Sequence, residues 1–171
     1  KRQYDIALKW LDVNIPEEQH HKKIWGWWAD EADVSLDMVS YVPEMKTLHQ
    51  HLIKITASEH IPFVQALGEV SVGIEGATGV LIARVYDGIK EVHKREKDKS
   101  LSRKGQMWLE VHYEEDFDHH PVQALRLVRN FMQNQEQYQK IVHEILKTVE
   151  IYFNAFNAAA SRPYEAYGKA A

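Results

Sequence analysis

The chain has 171 residues, a formal net charge of -4 and no cysteine. That length suits one domain with a real core, and the charge gives no general affinity for nucleic acid or an anionic membrane surface. Without cysteine there are no disulfides, thiolate metal ligands or cysteine nucleophile.

Hydrophobic residues make up 44% and charged residues 27%, an ordinary balance for a soluble globular protein. No secretory signal is visible, and no apolar run is expected to reach the ~20 residues that cross a bilayer. The cytoplasm is the expected compartment. The chain opens at Lys1 without a methionine, so the natural protein is expected to be longer at its N-terminus.

The periodicity is helical nearly throughout, with no convincing alternating strand. A first helix is expected over Tyr4 to Val13. Pro16 then sits where a first-turn proline is tolerated and opens EEQHHKKIWGWWADEA. Pro43 opens EMKTLHQHLIKITAS, and Pro62 opens the long FVQALGEVSVGIEGATGVLIARVYDGIKEV. The charged stretch from His93 to Lys104 reads as a solvated helix end and loop. Two or three more helices follow: one bearing His112, then Pro121 to about Asn134, then Glu136 to about Ala160. Residues 1–160 form one all-α bundle, and 161–171 a loose tail.

Three segments carry chemistry. WLEVHYEEDFDHHP, Trp108 to Pro121, sets His112, Asp116 and His119 at i, i+4 and i+7. A continuous helix gathers them within an arc of roughly 60°. Two imidazoles and a carboxylate on one face suit a hard or borderline metal such as iron. The competing reading is a solvated His-His pair near a helix end.

Glu75 is the second signal. By helical periodicity it shares a stripe with Val64, Gly68, Val72, Ile82 and Tyr86, where an ionised carboxylate is costly unless paired or metal-bound. A buried ion pair and a metal ligand both meet that need. Gly68, Gly73, Gly76 and Gly79 crowd the same segment, which fits either close helix packing or an open cavity.

The third is EEQHH, Glu17 to His21. Glu18/His21 and Glu17/His20 both have the ExxH spacing of helical carboxylate-bridged sites. Glu17/His21 lies closest to the stripe of Ile24 and Trp28, so periodicity favours Glu17. Acidic residues placed for the helix dipole are the plainer explanation of this segment alone. Together the three segments offer up to three carboxylates and three histidines, a number suited to two iron or manganese ions. His49, His51, His60, His93 and His143 lack a partner at ligand spacing and read as surface or satisfied histidines. Trp25, Trp27, Trp28 and Trp108 read as core, and Arg126 as surface.

GIEGATG around Glu75, WLEVHYEEDFDHHP and EEQHHKKIW resemble the heme-oxygenase-like diiron oxidases and oxygenases, relatives of thiaminase II and pyrroloquinoline-quinone synthase. The resemblance spans Pro16 to Arg129. It implies a seven-helix, heme-oxygenase-like bundle, often dimeric, with metal ligands Glu18, His21, Glu75, His112, Asp116 and His119. Glu75, His112 and Asp116 would be its catalytic residues. It further implies two iron ions, O2 as co-substrate, a reductant, and a small amino-acid- or fatty-acid-like substrate in a biosynthetic pathway. Two other readings stand beside it: a cofactorless oxidase of the pyrroloquinoline-quinone synthase type, and a non-catalytic helical binding protein. Thiaminase-like hydrolysis is disfavoured because that chemistry uses a cysteine.

Overall fold

A computed structural model describes residues 2–31 and 42–162, without the side chains at 2, 3 and 115–118. Among the described residues all regular structure is helical: α1 (Arg2–Glu31), α2 (Pro43–Ala57), α3 (Phe63–Leu67), a π-helical segment (Gly68–Glu75), α4 (Gly76–Lys97), α5 (Arg103–Asp118), α6 (His120–Phe131) and α7 (Gln135–Ala160). The stretch α3–π–α4 is one rod, Phe63–Lys97. Most of the proposed tail, 163–171, lies outside the described residues.

Among the described residues six continuous helices are present where about seven were expected, because Pro16 does not start a second one. It lies inside the 30-residue α1. An interior proline removes one backbone hydrogen bond and crowds the preceding turn, at a cost of about 3 kcal/mol. Packing offsets this cost. Ala7 and Asn14 before the proline and Ile24 and Ala29 after it are all buried, and α1 lies along α5.

The other helix ends follow the sequence closely. Pro43 sits in the first turn of α2. Extended Pro62 precedes α3, and the Asn134 side chain accepts the Gln137 N–H at 2.9 Å to cap α7. Asp98, in the left-handed region at φ 50°, ends α4.

The π segment packs between α6 and α7. Gly68 fits closely there: a Cβ would lie 3.0 Å from Ile145 Cδ1, tighter than ordinary contact. Close packing therefore accounts for this glycine. The wider π turn also breaks the single stripe expected around Glu75. Val64 and Val72 join the cluster of Leu67, Ala124, Leu127, Val128, Ile141 and Ile145. Ile82 and Tyr86 pack instead with Leu101, Leu109, Trp28 and Trp108. A third cluster, around Leu48, Ala77, Tyr152 and Ala155, joins α2, α4 and α7.

Phe63–Lys97 is long and apolar enough, by length and composition alone, to cross a membrane. This corrects the expectation that no run qualifies. The same properties suit a bundle's central helix, and the rod packs against α5, α6 and α7.

Candidate metal centre

Helices α1 and α5 run antiparallel, and their register builds the site. At one end the Glu31 carboxylate accepts hydrogen bonds from Ser102 N at 2.6 Å and Ser102 Oγ at 2.5 Å. These donors hold its carboxyl below the usual range, although burial, the largest single influence, works the other way. Further along, Trp108 of α5 packs on Trp28 and Trp25 of α1, with ring centroids 5.3 and 4.9 Å apart. The His21 and His112 rings then face each other at 4.9 Å. Continuing that register brings position 116 of the α5 backbone level with Glu17 and Glu18. The Asp116 side chain itself lies outside the described residues.

His112 is buried, and its Nδ1 lies 2.7 Å from the Trp108 carbonyl. A carbonyl only accepts, so Nδ1 carries a hydrogen, and in the neutral form of the ring the lone pair sits on Nε2. His21 Nδ1 sits 3.4 Å from Glu18 Oε2. The hydrogen bond from His21 holds the Glu18 carboxyl below its usual range. Burial opposes this, and the nearby charges of His21, His120 and His112 add to the lowering. Both rings are thus anchored at Nδ1 by an acceptor, the arrangement that orients metal-binding histidines.

Glu75 is largely buried, and its Oε2 lies 3.5 Å from His120 Nδ1. His120 Nε2 lies 3.5 Å from Glu17 Oε2. One buried imidazole therefore links a carboxylate of α1 to one of the π segment. Two cavities open beside it. One of ≈ 250 Å³ is lined by Asn14, Glu17, His119, His120 and Gln123. The other, ≈ 320 Å³, is lined by Pro16, Glu17, His20, His21 and His120.

The expected set is thus brought together in part. Glu18, His21 and His112 are neighbours, and Glu75 is close by through His120. His119 differs: it is exposed at the N-cap of α6, where α5 has already ended. The i+7 extrapolation from His112 needed an unbroken helix. Pro121, which has no N–H, sits instead in the first turn of a new one. His120 takes the inward place. Among the histidines read as surface or satisfied, His49, His60 and His143 are exposed. His93 is buried 3.9 Å from Glu31, and His51 reaches the buried Glu69 at 3.2 Å. Glu69 was overlooked, although it too is a lone acid within an apolar run. A larger cavity, ≈ 680 Å³, is lined by Trp28, Arg84, Val85, Ile89, Val92 and Leu101. His93 lines it, but none of Glu17, Glu18, His21, Glu75, His112 or His120 does.

As they stand, no three His, Asp or Glu side chains among the described residues are gathered to hold a metal ion. The contacts are pairwise. The donor chemistry, imidazole plus carboxylate with two rings fixed through Nδ1, nonetheless fits iron or a similar cation. Comparison with family models, curated proteins and solved structures returns no match.

Proposed function

We propose that this chain is a non-heme iron oxidase or oxygenase that uses O2 to oxidise a small organic substrate, with Glu18, His21, Glu75, His112 and His120 as its donor set and Asp116 adjoining in register. The observation that carries the reading is the His21–His112 pair. Two imidazoles on antiparallel helices are each anchored at Nδ1, so each ring, when neutral, presents Nε2 as its basic nitrogen. Bound iron would supply the binding and reduction of O2, which organic side chains do not achieve unaided.

The chain's own residues do the rest. Trp108 and Glu18 fix ring orientation through the two Nδ1 atoms. Glu17 and Glu75 flank His120 and can hold a proton on either of its nitrogens. A cation entering the site competes with those protons, so its affinity falls as pH falls. The cavities beside Glu17 admit a small substrate. The twin carboxylates favour one with a cationic or hydrogen-bond-donating group.

One observation favours a metal-free reading: the His–carboxylate pairs at 3.4–3.5 Å are mutually compensating without a cation. Anaerobic titration with ferrous iron, followed by metal counting and rapid mixing with O2, separates the two. The iron reading expects near two irons per chain and an O2-dependent visible transient, both lost in Glu75→Ala and His112→Ala. No stoichiometric iron in the unaltered chain overturns it in favour of a cofactorless oxidase or a binding bundle.

A further inference from the structure

The π segment carries two carboxylates, and only Glu75 belongs to the candidate centre. Glu69 is 1% exposed. Its Oε1 accepts the Gln65 amide at 2.8 Å, and its Oε2 accepts the Thr148 hydroxyl at 2.7 Å. His51 Nε2 lies 3.2 Å from the same Oε2 and 2.7 Å from Thr148 Oγ1. Thr148 has a single hydroxyl hydrogen, given to Glu69, so the His51 contact requires the imidazole to donate from Nε2. Donors from α3, α7 and α2 thus converge on one carboxylate.

Hydrophobic packing alone does not call for this. Apolar side chains of similar volume often replace buried ionic groups without loss of stability, and such groups persist where they select one arrangement over another. The arrangement at stake here is the helix register. Each residue of a π turn advances less around the axis than in an α turn, and the difference accumulates from Gly68 to Glu75. An α-helical segment anchored at Glu69 would swing Glu75 away from its present side of the rod. In the π register Gly76 meets Pro121, where a Cβ would lie 3.4 Å from its Cγ, and Glu75 meets His120.

We propose that Glu69 is a positioning residue: its network with Gln65, Thr148 and His51 locks the π register that delivers Glu75 to His120. The consequence for metal rests on the iron-site reading, whereas the geometric claim does not.

The test uses Glu69→Gln, which leaves one side of the group facing donors with no acceptor, and Thr148→Val, which keeps shape and removes the hydroxyl. Thr148→Ser restores the hydroxyl and serves as the rescue. Three quantities are read: urea stability, the ring 15N shifts of His120 at fixed neutral pH without metal, and anaerobic cobalt(II) affinity. Glu69→Gln and Thr148→Val are expected to shift the His120 ring nitrogens and to weaken cobalt(II) by about tenfold or more. Thr148→Ser should restore both. Lower stability with unchanged His120 shifts in both disruptive variants overturns the proposal and leaves the network purely structural. If the unaltered chain takes up no cobalt(II), the metal reading falls and the His120 shifts alone decide the positioning claim. If Glu69→Gln fails to fold, the Thr148 pair carries the test.

Discussion

Glu69 and Glu75 lie six residues apart in one π-helical segment, both in apolar surroundings, yet their circumstances are opposite. Glu69 is sealed among hydrogen-bond donors from three helices. Glu75 faces a histidine whose other nitrogen looks onto a second carboxylate, and cavities open beside that histidine. A buried acid in an apolar stripe therefore does not announce a reactive site. What separates the two is the partner: fixed donors from three helices hold Glu69 in place, whereas Glu75 meets an imidazole that it shares with Glu17.

The largest test of that contrast is stability. Glu69→Leu leaves the donors of Gln65, Thr148 and His51 without their acceptor, at about 1–3 kcal/mol each, and a marked loss is expected in urea denaturation. Glu75→Gln retains an amide beside His120 and should cost only about 1 kcal/mol. Equal losses would erase the distinction. The flanking glycines give a finer comparison. Gly68→Ala forces a Cβ against Ile145 and should cost about 1–3 kcal/mol. At Gly76 the added Cβ makes an ordinary contact with Pro121, so the ~1 kcal/mol helix preference of alanine should leave that variant neutral or more stable.

The smallest effect concerns pH. The Glu18 carboxyl is held below its ordinary value of 4.5, so its stabilising contribution is present above that value. It fades as pH falls through the folded-state range. Glu18→Gln should make the acid limb of stability, followed by thermal melting from pH 5 to pH 3, slightly shallower. The change is small because the side chain is half exposed to solvent. A steeper limb would contradict the direction.

The helical class and most helix ends were legible because apolar spacing and prolines are local signals. Pro43, Pro62 and Pro121 mark starts as read. Pro16 does not, since α5 supplies the partner surface that outweighs a missing hydrogen bond, and that surface lies some 90 residues away in the sequence. His112 and His21 stood out from spacing on single helices, whereas periodicity favoured Glu17 and the family resemblance alone pointed to Glu18. His120 was masked by its neighbour: a one-residue choice depends on where one helix stops and the next begins. Glu69 escaped because the π turn has no sequence code and its partners His51 and Thr148 are 97 residues apart from each other. The heme-oxygenase-like topology and the iron chemistry remain proposals carried by the resemblance and by the paired histidines.

The lopsided attachment of α1 has a consequence of its own. It rests chiefly on α5, with a smaller contact to α6, while carrying Glu17, Glu18 and His21. Two of the five proposed donors, Glu18 and His21, thus ride on a helix held along one side. A cation shared with His112 and Glu75 would act as a rivet between that helix and the rest of the molecule. Amide exchange should then slow in α1 more than in the Phe63–Lys97 rod when metal is added, so that loading is read in the order of unfolding before any chemistry begins.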